Sequence, residues 1–371
     1  MNGLLPSLRS SIWTSTNSAM TSDLAVALAG FAIGWLSFFP PRRNSVTLRE
    51  SIESLSVVIP ARDEEHNIGQ VVASLRSALG DGIEIVVADD RSRDETALRA
   101  ARAGAIVVSV DEPPEGWTGK AHACWVGQQR VSRRHVMFVD ADVRFGRGAS
   151  DVVAAAVATL VEDPTTLASV QPWHSPKGFF ERFAMLFNVV SVMASRGRGL
   201  WVSKRPLAFG PVMVCDVVEY RRRGGHAHES VKGSIVEDIA LSRLFDRGVV
   251  QIGASDSVTF RMYDKGIGQV VEGFTKNLAS GGSSTSLVAV VGVATWFVFL
   301  CSPVVLGSGW YFVCVVQVYV LSRVVGKFGV VHALLYPVHV VFFLSVLLRS
   351  MWLRFVTRSV TWKGRAIAFY D

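Results

Sequence analysis

Hydrophobic and polar positions divide the chain into three regimes. Residues 24–39 form an almost unbroken apolar run, residues 55–260 alternate short apolar runs with helix-period segments, and from residue 287 apolar positions dominate again. In the middle regime LSVVIP (55–60), IEIVVADD (83–90), AIVVSV (105–110) and VMFVDADV (136–143) are short and rich in β-branched residues, so each predicts a buried strand. Ile68, Val71, Val72 and Leu75 recur at helical spacing between the first two. After the second strand RSRDETALRAARAG predicts a helix with an acidic first turn, closed by Gly104. Strands separated by helices imply parallel pairing through right-handed crossovers, which is the sheet of nucleotide-binding α/β domains.

The ends of these strands share a chemistry. The first runs into Pro60, Ala61, Arg62, Asp63 and Glu64, the second into Asp89 and Asp90, and the fourth into Asp140 and Asp142. Open α/β sheets bind ligands at the carboxyl ends of their strands. Carboxylates gathered there repel one another unless a cation or the hydrogen-bond donors of a ligand satisfy them. Asp140 and Asp142, two residues apart, can face one hard cation. Mg²⁺ or Mn²⁺ takes one or two protein carboxylates and fills its other positions with water and phosphate oxygens. A solvated turn accounts for any single Asp-x-Asp; the agreement of three segments is what points to a site. Neither a G-x-G-x-x-G nor a Walker loop occurs, so a dinucleotide or an ATP phosphate loop has no support.

The flanking apolar regimes predict membrane helices. Residues 24–39 are followed by Pro40, Pro41, Arg42 and Arg43, and a basic pair behind the apolar run is the reverse of a signal peptide. It predicts a short anchor with its basic end on the cytoplasmic side. Residues 287–306, 310–321 and 328–348 predict C-terminal crossings, with His332, Pro337 and His339 inside the last. Three crossings would carry Arg349, Arg354, Arg358, Lys363 and Arg365 to the side opposite the α/β domain, against the positive-inside tendency, so the topology of the last two stays open. Composition agrees with a membrane protein: half of the chain is hydrophobic and the mean hydropathy is +0.33. The net charge of +7 suits phosphorylated substrates and anionic lipid; the cations are scattered and no nucleic-acid module is present, so nucleic acid is not an expected partner. Cys124, Cys215, Cys301 and Cys314 lack metal-ligand spacing and fit a reducing compartment. The expected organisation is a flexible N-terminus (1–23), an anchor (24–40), a catalytic domain (51–282), membrane helices (287–350) and a basic tail (351–371).

IPARDEE, VVADDRSRDET and FVDADV resemble, in order and spacing, the nucleotide-sugar half of family 2 glycosyltransferases with the GT-A fold. EGWTGKAHAC (115–124), SVQPWH (169–174), AFGPVMV (208–214), FRMY (260–263), GFTKNLASGG (273–282) and TWKGR are similar to the carotenoid-modifying branch of that family. The likeness runs from about Leu55 to Arg365. It implies a mixed α/β sheet flanked by helices, with N-terminal and C-terminal transmembrane helices. It also implies a multi-pass protein of the cell membrane, its catalytic domain cytoplasmic. The implied reaction moves a sugar, glucose first, from a UDP-sugar to a carotenoid carboxylate or hydroxyl, with inversion and with Mg²⁺ or Mn²⁺ as cofactor.

Residue by residue, the resemblance gives Asp89 and Asp90 to the uracil and ribose, with Pro60, Ala61 and Glu64 lining the same pocket. It gives Asp140 and Asp142 to the metal diphosphate, and puts Lys120 near the sugar or diphosphate, where a point positive charge suits a phosphate. Inverting transfer needs a base opposite the leaving nucleotide, and the family's Glu-Asp motif falls on IVEDIAL (235–241), with Asp238 as base and Glu237 in support. A carboxylic acid acceptor is already ionised near neutral pH, so Asp238 matters most for a hydroxyl acceptor. Where the family carries a Gln-x-x-Arg-Trp-like motif this chain has Gly273, Phe274, Thr275 and Lys276, with Lys276 a candidate diphosphate contact. The aromatic stretch with Phe179, Phe180, Phe183 and Phe187 predicts an amphipathic helix that rests on the membrane interface and floors an acceptor tunnel. Trp173, His174, Phe180 and Phe187 are the candidate acceptor contacts. Transfer to a polyprenyl phosphate or another lipid, and a non-catalytic nucleotide-sugar-binding membrane protein, remain open alternatives; the sequence carries no sign of oligomeric state.

Overall fold

The computed structural model describes residues 5–39, 52–200, 202–263, 266–281, 285–362 and 365–368. Pro40, Pro41, Arg42 and Arg43, behind the expected anchor, and Lys363 of the tail lie outside the described residues. Strands β1 (Leu55–Ala61), β2 (Glu84–Asp89), β3 (Ile106–Ser109) and β4 (His135–Val139) form from the four apolar runs. They pair in parallel in the order β3-β2-β1-β4. The chain therefore steps outward from β1 to β3 and returns on the other side of β1, so the carboxyl ends of β1 and β4 flank the reversal where open sheets hold ligands. Alternation along β1 builds two layers: Leu55, Val57 and Ile59 enter one core with the helix Ile68–Leu79, and Val58 enters the other with Phe138 and Met213. The predicted helical face of Ile68, Val71, Val72 and Leu75 is wholly buried.

The remaining strands are β5 (Val143–Phe145), β6 (Thr166–Gln171), β7 (Trp173–His174), β8 (Val212–Asp216), β9 (Arg247–Ile252) and β10 (Val258–Phe260). The larger sheet continues β4-β8-β6-β9, and β8 runs antiparallel to both of its neighbours, so the sheet is mixed rather than wholly parallel. An antiparallel strand begins where its neighbour ends. Residues 208–211 accordingly arrive at the end of β4, and the Asp140 amide donates to the Pro211 carbonyl at 3.0 Å. The run VMFVDADV also divides: β4 stops at Val139, and Val143 starts β5 in a second sheet of order β5-β10-β7. The Asp-x-Asp triplet is thus the turn between two sheets.

The helix Gly119–Gln128 carries Lys120 at its amino end, where Thr118 caps it by accepting from the Ala121 amide at 3.2 Å. It lies so close to the sheet that a Cβ on Gly127 would stand 2.6 Å from Val58 Cγ1.

Among the described residues two helical segments, Leu287–Leu306 and Tyr336–Thr357, are long and apolar enough to cross a bilayer; Thr21–Leu36 and Gly309–Val325 are shorter apolar helices. The N-terminal helix spans Leu5–Leu36, so residues 5–23 of the segment expected as a flexible N-terminus continue the helix of the apolar run. Its apolar part packs on Leu287–Cys301, where a Cβ on Gly30 would meet the Thr295 carbonyl at 2.5 Å and Phe31 meets Phe299 edge-on. The crossing expected over 328–348 begins later. A short helix, Val330–Leu334, ends first, and Pro337 then sits in the opening turn of Tyr336–Trp352, where a missing N–H costs no hydrogen bond.

The aromatic stretch expected as one interfacial helix is a 3-10 turn, Phe180–Ala184, followed by the helix Met185–Ser195. The helix is buried along most of its length in the core that joins the catalytic domain to the apolar helices. Phe187 stacks on Phe274 at 4.0 Å and meets Phe343 at 4.7 Å, while Phe179 and Phe180 are exposed. This stretch is chiefly an interior joint because its apolar residues are too numerous for one face.

Gly127→Leu should lower stability by about 1–3 kcal/mol through overpacking against β1. Gly69→Ala, where nothing lies within 4 Å of the added Cβ, should leave the melting temperature unchanged or raise it. Thermal unfolding in detergent checks the pair.

Candidate functional site

A cleft of ≈ 1550 Å³ opens along the carboxyl edge of the sheet. Pro60, Ala61, Glu64 and Asp90 line one part, Lys120, Asp140, Asp142, Glu237 and Asp238 another, and Phe187, Val293, Phe297 and Phe343 the apolar part between helices. Asp89 reaches the same edge from below: its carboxyl is buried, and its Oδ1 has no hydrogen-bond partner. A carboxylate oxygen can accept a hydrogen bond, and this one accepts none within the protein. Asp90 is held by Arg62 at 3.3 Å and Arg91 at 2.9 Å. Asp63 and Arg91, just after β1 and β2, hold φ of 55° and 57°, a backbone strain that concentrates at functional edges.

The centre of the cleft is a chain of charges. Lys120 Nζ lies 2.8 Å from Asp140 Oδ1 and 2.8 Å from Glu237 Oε1. Burial pulls the ammonium's pKa down, but Asp140 and Glu237 outweigh it and hold Lys120 protonated well above the usual lysine range. Burial likewise favours the neutral form of Glu237, and the Lys120 ammonium reverses this, so Glu237 stays ionised below the usual carboxylate range. Its neighbour differs. Burial, with the Glu237 charge beside it, raises the Asp238 carboxyl to about 6. Asp238 accepts from the Gly210 amide on Oδ2 and from the Ile239 amide on Oδ1, both at 2.9 Å. Two adjacent carboxylates thus have opposite tendencies, one fixed as an anion and one able to take up a proton near neutrality.

Asp142 is pushed to about 7 by burial and by the charges of Asp140 and Glu64. That excess of negative charge fits a divalent cation. Among the described residues no three His, Cys, Asp or Glu side chains are arranged to hold a metal ion. Asp142 and Asp140 are the carboxylates that could hold such an ion, whose other positions water and phosphate oxygens would fill.

Not every expected residue reaches the cleft. Trp173 is buried and donates from Nε1 to the Arg323 carbonyl at 3.2 Å. His174 is fully buried between Phe260 and Phe328, its ring centroid 5.2 and 5.6 Å from theirs, and burial lowers its pKa to about 3. Phe180 lies on the outer surface, with about half of its area exposed. None of these three, nor Asp89, is among the residues lining the cleft, whereas Phe187 is. Away from the cleft, His226 pairs with the Tyr220 hydroxyl at 2.7 Å within the core, and His228 caps a helical turn at Ser230.

The structure adds residues that sequence reasoning missed. Arg144 donates to the carbonyls of Ala141 at 2.9 Å and Val143 at 2.8 Å and to Asn67 Oδ1 at 2.8 Å, tying the Asp140–Asp142 turn to the segment after β1. Its position two residues beyond Asp142, a cation directly after the acidic triplet, was the available signal. Gly210 brings its amide to Asp238 because a Cβ there would stand 2.8 Å from Oδ2. Arg261, in FRMY, forms a two-pronged pair with buried Glu181, at 2.6 and 3.0 Å.

A model described as Glycosyl transferase family 2 matches residues 56–204. The 4,4'-diaponeurosporenoate glycosyltransferase of Staphylococcus aureus (strain MRSA252) is 31% identical over 341 residues, covering 86% of this chain and 89% of that relative. The chain belongs to glycosyltransferase family 2. The enzyme of the same name from strain USA300 is 31% identical over 345 residues. Among solved structures, the mannosyltransferase PcManGT from Pyrobaculum calidifontis, in complex with GDP-Man and Mn²⁺, matches over 90% of this chain and 97% of its own, at 14% identity and a TM-score of 0.54. The mixed sheet with flanking helices is the GT-A fold, and this family 2 glycosyltransferase uses a nucleotide-sugar donor.

Gly210→Ala should push Asp238 off the amide that orients it. Transfer should fall at least tenfold while UDP affinity, measured by calorimetry, stays within twofold.

Proposed function

We propose that this glycosyltransferase moves glucose from UDP-glucose to the carboxylate or hydroxyl of a carotenoid-like acceptor held in the membrane, with inversion at the anomeric carbon. The observation that carries the reading is the continuity of one cleft from the nucleotide edge at Pro60, Ala61 and Asp90 to apolar walls at Ala289, Val293, Phe297 and Leu347. A water-soluble acceptor would leave those walls without a use. Glucose, UDP and the carotenoid class are favoured by the relative named 4,4'-diaponeurosporenoate glycosyltransferase.

In this reading Asp89 and Asp90 hold the uracil and ribose, beside Pro60, Ala61 and Glu64, and the apolar part of the cleft, with Phe187, takes the acceptor chain. Asp142 and Asp140 would hold Mg²⁺ or Mn²⁺, which would supply Lewis-acid stabilisation of the departing diphosphate. Lys120 adds a fixed positive charge on the same side. Asp238 takes the acceptor hydroxyl proton as the new sugar–oxygen bond forms, and ionised Glu237 keeps its carboxylate basic. A carboxylate acceptor needs no such step.

The membrane setting rests on Leu287–Leu306 and Tyr336–Thr357. Their apolar side chains face outward, with Leu287 76%, Val304 89% and Leu348 67% exposed, as lipid-facing residues would be. Exposed Lys177, Arg323 and Lys327 lie near exposed Phe179 and Phe180 where the catalytic domain meets these helices: Lys327 donates its amide to the His174 carbonyl, and Phe179 contacts His332. Cations and aromatics at that level support a cytoplasmic catalytic domain.

Two outcomes are expected. With a hydroxyl acceptor, kcat/KM should fall below about pH 6 as Asp238 takes up a proton, and Asp238→Asn should lose about 10²–10⁴-fold in kcat, with UDP affinity kept. A pH profile that stays flat down to pH 5 would contradict the base assignment. Second, membranes given UDP-[¹⁴C]glucose should put label into organic-extractable glycolipid, and Ala294→Trp should abolish this while UDP-glucose hydrolysis persists. Label in polyprenyl phosphate instead would move the reading to that acceptor.

A further inference from the structure

Lys120 is placed between the two functions of the cleft. It bonds Asp140, a candidate metal ligand, and Glu237, the neighbour of the base, with the same ammonium at 2.8 Å from each. A divalent ion approaching Asp140 therefore meets a fixed positive charge already bonded to one of its two carboxylate oxygens. The protein offers little else to outbid that charge, because no cluster of three metal-ligating side chains exists among the described residues. We propose that Lys120 acts as a resident counter-ion that keeps the metal site weak until the donor arrives, so that metal and nucleotide diphosphate bind as a coupled pair. This rests on the reading of Asp140 and Asp142 as metal ligands.

The coupling follows from charge. A diphosphate supplies oxygens to the metal and gives Lys120 a new anionic partner, which removes the penalty of placing the two cations side by side. Linkage then requires the converse, that metal tightens nucleotide binding by the same factor. Glu237 keeps Lys120 within reach when Asp140 is released, so the ammonium need only shift from one carboxylate toward the phosphate. The benefit is that the cation enters with its substrate rather than binding idly to the acidic edge. Lys120 is in this respect a positioning residue for the metal as well as a phosphate contact.

Mn²⁺ binding to the full-length protein in detergent, followed by loss of the free-ion EPR signal, tests the proposal directly. Wild type should bind Mn²⁺ at least tenfold more tightly with saturating UDP than without. Lys120→Met and Lys120→Gln should bind Mn²⁺ without UDP at least tenfold more tightly than wild type, and Lys120→Arg, which keeps the charge, should not. Circular dichroism confirms that each variant is folded, and two neutral variants guard against the loss of one. A Lys120 that is only a phosphate contact would weaken UDP binding and leave Mn²⁺ affinity without UDP unchanged, which overturns the proposal. Failure of every form to bind Mn²⁺ even with UDP would remove the metal site itself, and the inference with it. That result is distinct from normal UDP-assisted binding with no effect of Lys120.

Discussion

Negative charge crowded at the ends of β1, β2 and β4 is the constraint around which this molecule is arranged. Arg62 and Arg91 neutralise Asp90, and Lys120 neutralises Asp140 and Glu237. Among the described residues Asp142 forms no such ion pair, and burial, with the charges of Asp140 and Glu64 beside it, raises its pKa. The same imbalance separates Glu237 from Asp238: the ammonium reaches one carboxylate, and the other keeps an affinity for protons.

The second determinant is how the sheet is attached to the apolar helices. Met185–Ser195 belongs to the core shared with Trp296, Phe299, Leu321 and Phe343. Its burial, rather than a linker, fixes the nucleotide edge relative to the helices, and the cleft is the space left between them. Glu181 secures the entry to that helix, accepting from the Lys177 and Gly178 amides and from Arg261. Burial raises the Glu181 pKa, but the Arg261 guanidinium outweighs it and holds the carboxyl near 2. The charged sheet edge and the apolar helices therefore share one cleft in fixed register.

Much of this was legible in the sequence because periodicity reports burial. Val57, Ile59, Val86, Val87, Val136 and Phe138 are buried on one face or the other of the parallel half-sheet, and uninterrupted β-branched runs are its signature. The Asp-x-Asp turn and the Glu237–Asp238 pair were visible as charges at element ends. Strand direction was not: AFGPVMV reads as one more apolar run, and nothing in its period says that β8 runs antiparallel and delivers Gly210 to Asp238. Trp173 and His174 looked like acceptor contacts because aromatic and polar residues in a short motif suggest a site. They are instead buried where β7 pairs with β10. Pro337 marks a helix start rather than a break within a crossing, a distinction that depends on where Val330–Leu334 ends.

A structure of the full-length protein with UDP, Mn²⁺ and co-purified lipid would test the central claim most directly. The account predicts the diphosphate between Lys120 and Asp142, the uracil against Asp89 and Asp90, and lipid density running from Asp238 past Val293 and Phe297. Nucleotide bound elsewhere on the sheet, or lipid density confined to the outer faces of the apolar helices with none reaching Asp238, would contradict it.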